Sequence, residues 1–225
     1  MESVDQSALA LDMTLEELRE ALAPLLGAHA AFDGWSERAI AMASAELGVP
    51  ADRGRIAFPD GPVQMIDAWF DWVDRHMLAA FPPERIEEMK VRERITALLD
   101  HRFETLIPYK EALRRALAVL AMPQNALAAA RLAWRSADRI CRLAGDTATD
   151  YNHYTKRTIL IGVYGSTTLV FLDDESEGLA VTRAFLDRRI GDVMRFEKAK
   201  ARFTGGAVHR PSLSRFLGRL RYPAR

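Results

Sequence analysis

Hydrophobic side chains recur along most of the chain with the three-to-four-residue spacing of an amphipathic helix. The first run places Leu15, Leu18, Leu22 and Leu25 on one stripe, directly after the capping box Thr14-x-x-Glu17. Similar runs, separated by Gly and Pro, predict further helices over about residues 36–47, 52–57, 62–81, 84–104, 113–120, 125–143, 149–172, 177–200 and 212–222. The chain is therefore predicted to be all-α, with about nine or ten helices and no internal repeat.

One of these runs is ambiguous. Residues 158–172, TILIGVYGSTTLVFL, contain enough β-branched side chains for a strand. The rest of the sequence predicts no strand that could pair with it. We therefore interpret the run as a buried helix, in which Gly162, Gly165, Ser166 and Thr167 allow close packing.

The composition is that of a globular protein and excludes several classes. Of the 225 residues, 49% are hydrophobic and 28% are charged, which excludes general disorder. The longest uncharged runs, 116–130 and 158–172, have 15 residues each, whereas a membrane-spanning helix needs roughly 20. The only cysteine, Cys141, cannot form an internal disulfide, and the acidic N-terminus lacks the basic region of a signal peptide. We expect a cytoplasmic protein.

The net charge is zero, but charge is distributed unevenly along the chain. Residues 1–75 carry 14 acidic and 5 basic side chains, whereas residues 195–225 carry 9 basic and 1 acidic. An anionic partner or surface should therefore be attracted by the C-terminal end and repelled by the N-terminal end.

The first three predicted helices have the proportions of a helix-turn-helix. Residues 39–49 and 55–61 resemble the N-terminal domain of TetR-type regulators, in which a short helix enters the DNA major groove. That family usually has a Tyr in the short helix and a Lys at the start of the fourth, where this chain has Ala57 and Gly61. With the acidic charge, these differences predict a vestigial helix-turn-helix over residues 1–60 and no nucleic-acid partner. A ligand-responsive repressor of TetR type is the alternative.

The sequence contains no nucleophile elbow, zinc-protease motif or P-loop. Asp150-x-x-His153 has the spacing of half a metal site in a helix bundle, but no second pair of this kind accompanies it. We therefore expect no catalytic residue, no metal and no cofactor, and a bundle enzyme is the least favoured alternative. Cys141 is most simply a small core residue.

Polar and aromatic side chains crowd around the start of the helix predicted from residue 149. Capping of the first turn explains Asp146 and Asp150, because carboxylates suit the positive end of a helix dipole. Capping does not require Tyr151, His153 and Tyr154, which are typical of an interface.

The same segment resembles a known family. Residues 144–157 (AGDTATDYNHYTKR), followed by Tyr164, Thr167 and Asp173, and residues 185–194 (FLDRRIGDVM) resemble the coenzyme Q (ubiquinone) biosynthesis accessory protein nine family. The similarity covers about residues 35–200. It implies a TetR-like helical bundle that has lost DNA binding, and a non-catalytic accessory protein that binds lipids.

The resemblance also implies partners. The protein would present an isoprenoid quinone precursor to the membrane di-iron demethoxyubiquinone hydroxylase, as a peripheral protein on the inner membrane. Relatives tend to have Trp where this chain has His153. The residues that correspond to the hydroxylase-binding patch are Asp146, Asp150, Tyr151, Asn152, His153, Tyr154 and Arg157.

A bundle rich in small residues can hold an apolar ligand between its helices. We assign a bound isoprenoid quinone or phospholipid to the bundle of residues 61–203. The side chains predicted to contact it are Trp69, Phe70, Trp134, Ile140, Ile159, Val163, Phe171 and Phe185.

Residues 204–225 are predicted to form a hinge, Thr204-Gly205-Gly206, followed by an amphipathic helix that binds the membrane surface. The alternative is that its apolar stripe packs on the bundle or on a second protomer. Because TetR-type folds usually dimerise through their last bundle helices, we expect a homodimer that uses residues 177–200. The predicted membrane-binding residues are Leu213, Arg215, Phe216, Leu217, Arg219 and Leu220.

Overall fold

The computed structural model of the protein describes residues 12–146 and 151–205. Over these ranges the chain forms ten α-helices and three 3-10 turns, with no strand, which confirms the all-α prediction and the helical interpretation of residues 158–172. The helices are α1 (Leu15–Asp33), α2 (Glu37–Leu47), α3 (Ala51–Ala57), α4 (Pro62–Ala80), α5 (Pro83–Ile86), α6 (Val91–Leu106), α7 (Lys110–Leu120), α8 (Ala126–Leu143), α9 (Tyr151–Leu172) and α10 (Ala180–Gly205). The 3-10 turns are Ile107–Tyr109, Pro123–Asn125 and Glu177–Leu179.

The helix ends follow from local capping signals. At the start of α1, the backbone N–H of Glu17 donates to the Thr14 hydroxyl, and the Glu17 carboxylate accepts from the Thr14 N–H at 2.8 Å. At the start of α2, the Ser36 hydroxyl accepts from the N–H of Ala39, and Gly48 ends that helix with φ of 78°. A left-handed backbone conformation at this position favours glycine, because the Cβ of another residue would be sterically strained there.

The predicted helix over residues 84–104 is wrong, because the chain forms the single turn α5 and starts a new helix at Val91. Arg94 stabilises the break: its guanidinium donates to the carbonyl oxygens of Glu87 and Met89 at 2.8 Å each. The Glu93 carboxylate accepts from the N–H of Lys90 at 2.9 Å. These side chains bind backbone groups that a continuous helix would use for its own hydrogen bonds.

The N-terminal helices pack around α1, which contacts α2, α3, α4 and α7. The centre of this region is Trp69, which is fully buried and lies with its ring centroid 5.2 Å from that of Trp35. In addition to its contact with α1, α4 packs on α8, and α8 packs on α9. The layer of α7, α8 and α9 is therefore joined to the helix-turn-helix region through α1 and α4.

In the described ranges, residues up to Asp187 form one compact unit and residues from Arg188 onward form a second. Thr204 and Gly205 of the predicted hinge are the last residues of α10, and Gly206 lies outside the described residues, as does the predicted membrane helix with all six of its named residues. Among the helices that the structure describes, no single one is long and apolar enough to cross a membrane, and the bent pair 91–120 and 123–143 meets that test by length and composition alone.

Candidate functional site

A cavity of about 520 Å³ lies between α7, α8 and α9. Phe70 of α4 closes one side of it. A volume in this range is typical of sites for small molecules, which occupy about 300–1,000 Å³. The other lining residues are Leu113, Leu117, Leu120, Ala121, Ala129, Leu132, Ala133, Ser136, Ala137, Ile140, Leu160, Ile161, Tyr164, Gly165, Thr168 and Leu169.

Helical spacing explains why this wall is apolar. On α8 the lining residues Ala129, Ala133 and Ala137 follow one another at intervals of four, so they form a stripe of small side chains. On α9 the same interval places Gly165 beside Leu169 on the cavity face. Small residues leave the space, and the larger aliphatic residues make its surface hydrophobic.

The cavity extends from the core to the protein surface. Ile140 is almost fully buried, whereas Leu169 is 64% exposed and Gly165 is also exposed. A leucine with this exposure at the rim gives the opening an apolar edge. An apolar molecule therefore meets hydrophobic surface from the opening inward.

Three polar side chains line the cavity, and each is engaged in a hydrogen bond within the protein. The Thr168 hydroxyl donates to the carbonyl oxygen of Tyr164 at 2.8 Å, one helical turn earlier. The Ser136 hydroxyl lies 3.0 and 3.1 Å from the two carboxylate oxygens of Asp74. The Tyr164 hydroxyl accepts from Nε of Arg102 at 3.3 Å.

A buried ion-pair network lies behind this polar part of the wall. Asp74 and Arg102 are both fully buried and form a salt bridge. The second Asp74 oxygen accepts from Arg139 at 3.0 Å, and Arg139 also pairs with Asp71 at 2.7 Å. Burial lowers the pKa of the Arg102 guanidinium, but Tyr164 and Asp74 outweigh that effect, so the pKa lies above its ordinary value and the group stays charged.

The predicted interface patch is partly exposed and partly interior. Trp134 of α8 packs against the rings of His153 and Tyr154 of α9, with centroid distances of 6.1 and 5.8 Å. Tyr154 is 61% exposed, so this aromatic cluster, defined as Trp134, His153 and Tyr154, faces solvent. Asp150 lies outside the described residues, and the side chains of Tyr151 and Asn152 are not described.

Arg157 lies beneath the aromatic cluster and not on the surface. It is 1% exposed and pairs with Asp138 at 2.6 Å and with Asp146 at 3.0 Å. Asp146 also accepts from Lys156 at 2.6 Å. Arg157 and Asp146 therefore hold the end of α8 against α9, a structural role in addition to the one predicted for them.

Residues 126–197 match the COQ9 family model. These residues are called the COQ9 domain below, after the family model that they resemble. The mitochondrial ubiquinone biosynthesis protein COQ9 of Rattus norvegicus is 32% identical over 167 residues, which cover 72% of this chain and 54% of that protein. The human protein of the same name is 29% identical over 168 residues, which cover 72% of this chain and 52% of that protein. The chain thus spans about half the length of the curated relatives that it matches.

The fold is that of a TetR regulator. The crystal structure of the TetR transcriptional regulator from Nitrosomonas europaea superimposes with a TM-score of 0.62 and 24% sequence identity, covering 78% of this chain and 97% of that one. This likeness confirms the TetR-like bundle predicted from the sequence.

The COQ9 domain contains most of the cavity wall. Twelve of the seventeen lining residues that the structure describes lie on α8 and α9, within the matched residues 126–197. The aromatic cluster and Arg157 lie in the same range. The cavity and the predicted patch are therefore features of one matched segment.

Of the eight residues predicted to contact a lipid, Phe70 and Ile140 line the cavity that the structure describes. Trp69 is buried in the aromatic core around Trp35, and Phe171 packs against Phe103 with a centroid distance of 5.1 Å. Trp134 belongs to the aromatic cluster. Ile159, Val163 and Phe185 are half-buried or buried at positions that do not line the described cavity.

Most of the lining residues in the COQ9 domain and all of those in α7 are not among the predicted lipid contacts. Their signal is the four-residue spacing of small side chains on α8, together with Leu113, Leu117 and Leu120 on α7. Ranking side chains by size favours the large aromatic residues, and these fill the core. Small side chains leave the space that forms a cavity, so a stripe of small residues indicates a cavity better than large aromatic residues do.

Elsewhere in the chain, Cys141 is buried, as predicted, and burial raises the pKa of its thiol. Within residues 12–146 and 151–205, no group of three or more His, Cys, Asp or Glu side chains is arranged as metal ligands.

Proposed function

We propose that this protein is a non-catalytic, lipid-binding accessory factor of ubiquinone biosynthesis. An isoprenoid quinone precursor enters the cavity between α7, α8 and α9 and is presented there to demethoxyubiquinone hydroxylase. The observation that carries the proposal is an apolar cavity whose wall lies mostly in the COQ9 domain. The names of the COQ9 relatives, which are ubiquinone biosynthesis proteins, support the pathway.

The physical basis of uptake is the hydrophobic effect. Transfer of each CH₂ group of an isoprenoid tail from water into such a cavity contributes about 0.8 kcal/mol. The wall offers that tail aliphatic side chains, and two of its three hydroxyls are already donating within the protein. A tail therefore needs no polar groups of its own to bind along most of the wall.

A cavity-filling variant tests the proposal. In Ala133→Phe a phenyl ring enters the cavity, and we expect the affinity for farnesene, a C15 isoprenoid hydrocarbon, to fall at least tenfold in a fluorescence displacement assay. Ala130→Phe is the matched control because Ala130 is exposed and lies on α8 outside the described lining. Equal farnesene affinity of both variants and the native protein contradicts the proposal, as does native protein that binds no farnesene.

The aromatic cluster is the proposed docking surface for the hydroxylase. Exposed aromatic side chains are common interface anchors, and truncation of an anchor costs about 2 kcal/mol, or thirtyfold in affinity. We expect Tyr154→Lys to weaken binding to the hydroxylase by this order. Val181→Lys adds the same charge at another exposed site and should leave binding unchanged. Equal binding by both variants, measured by surface plasmon resonance, contradicts the assignment.

Peripheral membrane binding is proposed from the sequence of residues 204–225 alone. The basic side chains of this segment attract anionic lipid, each contributing about 1 kcal/mol near the surface. Deletion of residues 207–225 should abolish flotation with phosphatidylglycerol liposomes and leave the melting temperature nearly unchanged. Undiminished flotation, or a large drop in melting temperature, contradicts this part of the proposal.

The second candidate, a TetR-type repressor, is favoured by the fold alone. The helix-turn-helix region is acidic, and the arginines that it does contain bind oxygens of the protein itself. These contacts join Arg19 to Ala57, Arg38 to Asp33, Arg53 to Met13 and Arg55 to Asp52. Because arginine contacts to phosphate supply much of the affinity for DNA, a gel-shift assay at physiological salt should detect no submicromolar binding to the gene's own promoter. Submicromolar binding that depends on Arg53 or Arg55 favours the repressor.

A further inference from the structure

Among the three hydroxyl groups of the cavity wall, that of Tyr164 has a proton to offer. The Ser136 and Thr168 hydroxyls use their protons on Asp74 and on a backbone carbonyl. The Tyr164 hydroxyl accepts from Nε of Arg102 at 3.3 Å. A guanidinium has donors only, so Tyr164 cannot donate to it in return. No acceptor for the Tyr164 proton is found in the part of the chain that the structure describes.

A second unsatisfied donor lies next to this hydroxyl. Nη2 of the fully buried Arg102 has no hydrogen-bond partner within the described residues. The carbon at the centre of the guanidinium lies 5.1 Å from the centroid of the Tyr164 ring. Arg102 is fully buried and does not line the described cavity, so of these two donors the Tyr164 hydroxyl is the one on a residue that a ligand can reach. Polar groups inside proteins are rarely left without partners, so the free phenol proton points to an acceptor that arrives with a ligand.

The formal charge of the network indicates what kind of acceptor fits. Arg102 and Arg139 contribute two positive charges, and Asp71 and Asp74 contribute two negative charges. With no net charge, the network gives an anionic head group little attraction to offset its desolvation. A neutral carbonyl or ether oxygen accepts the Tyr164 proton at a much smaller desolvation cost.

We infer that the Tyr164 wall of the cavity is a polar subsite, in which the Tyr164 hydroxyl donates to a neutral carbonyl or ether oxygen near one end of a long apolar ligand. Arg102 acts as a positioning residue, because its bond to the phenol oxygen orients the phenol proton away from the guanidinium. This inference rests on the proposed function, since it requires that the cavity binds a lipid. It adds that the ligand is oriented by its oxygen-bearing end.

The test compares two neutral probes that differ in one oxygen. Farnesene carries no hydrogen-bond acceptor, whereas farnesyl methyl ether has a similar chain and one ether oxygen. Tyr164→Phe removes only the hydroxyl. The control Thr158→Val removes a hydroxyl of the same helix that lies outside the described lining and donates to the carbonyl of Tyr154 at 2.9 Å. Affinities are measured by displacement of a fluorescent lipid from the full-length protein. Farnesyl phosphate serves as the anionic probe.

We expect Tyr164→Phe to weaken binding of farnesyl methyl ether about three- to tenfold and to leave farnesene binding unchanged. Thr158→Val should change neither affinity. Unchanged farnesene binding also shows that Tyr164→Phe is folded with its cavity intact.

Three results would overturn the inference. If Tyr164→Phe changes the affinities for the two neutral probes equally, or changes neither, the polar subsite is contradicted. The proposed function is unaffected by that result. If farnesyl phosphate binds most tightly of the three probes and its affinity depends on Tyr164, the acceptor in the subsite is an anion and not a neutral oxygen. Failure of the native protein to bind any of the three probes removes the proposed function and the subsite together.

Discussion

Two pairs of helical glycines distinguish the helix-turn-helix region from the cavity region. A Cβ on Gly54 of α3 would overlap the Ser44 hydroxyl and lie 2.7 Å from a methyl carbon of Ile40, and a Cβ on Gly27 of α1 would overlap the Trp69 ring. For Gly162 and Gly165 of α9, the described residues place no atom within 4 Å of such a Cβ.

The same residue type therefore has opposite roles in the two regions. In α1 and α3, glycine lets helices approach until their atoms touch, and the N-terminal core is close-packed. In α9, the two glycines leave space that no other described side chain fills. Gly165 is one of the residues that line the cavity. The helix-turn-helix region is close-packed at its helical glycines, whereas the α7–α9 layer contains a cavity.

The largest expected effect concerns Asp74, which joins α4 to α6 and to the cavity helix α8. Asp74→Asn leaves the buried charge of Arg102 without a counterion, and breaking a buried pair in this way costs about 3–5 kcal/mol of the free energy of unfolding. Urea denaturation at pH 7 measures it. The control is Asp67→Asn, which breaks a half-exposed pair with Arg135 and should cost at most about 1 kcal/mol. Similar costs for the two variants would show that the buried network stabilises the fold no more than a half-exposed pair does.

The glycine comparison itself is tested by two matched substitutions. Gly54→Ala should lower the free energy of unfolding by about 1–3 kcal/mol, because the added methyl overlaps Ser44. Gly162→Ala should raise it by about 0.5–1 kcal/mol, because alanine favours the helix and the methyl meets open space. Thermal unfolding followed by circular dichroism gives the sign of each change. The same sign for both variants contradicts the comparison.

The next prediction concerns the turn at the end of the cavity helix α9. Burial raises the pKa of Asp174, but hydrogen bonds from Ser176 and Thr182 outweigh that effect and hold the pKa well below its usual range. Asp174→Asn should therefore cost about 1–2 kcal/mol of unfolding free energy at pH 7, the size of a lost helix cap.

The pH dependence of this cost has a definite sign. Because folding depresses the pKa, the stabilisation is fully present above the unfolded pKa of about 3.9 and is lost as the pH falls below it. Denaturation curves from pH 7 to pH 2.5 should show the native protein and Asp174→Asn converging in acid. Asp173→Asn changes an exposed carboxylate and should show a smaller difference at pH 7. Parallel curves for the native protein and Asp174→Asn would rule out this account.

Local features of the fold could be predicted from the sequence, because their causes lie within a few residues. Thr14 and Glu17, Ser36 and Gly48 act on their own helix ends, and those ends were predicted to within one residue. The break before Val91 could not be predicted in this way. It depends on Arg94, which also donates to the carbonyl of Ala144 at 3.3 Å, 50 residues away.

The candidate site was predictable only in part for the same reason. His153 and Tyr154 could be picked out because they are neighbours in the sequence and atypical of a core helix, whereas Trp134, their neighbour in the fold, was assigned to the lipid. The interior position of Arg157 was missed, because its partner Asp138 is on another helix. The cavity wall was missed because it is defined by how three helices diverge, and no single helix encodes that.

Arg157 has a consequence for how the surface above it meets a partner. Its bonds to Asp138 and Asp146 fix α9 against the end of α8, so the platform under Trp134 and Tyr154 is ordered on folding. A protein that docks on this platform meets side chains whose conformational entropy is already lost, which lowers the cost of association. For the proposed complex, loss of Arg157 should therefore weaken docking by disordering the surface above it, in addition to any contact that Arg157 itself makes.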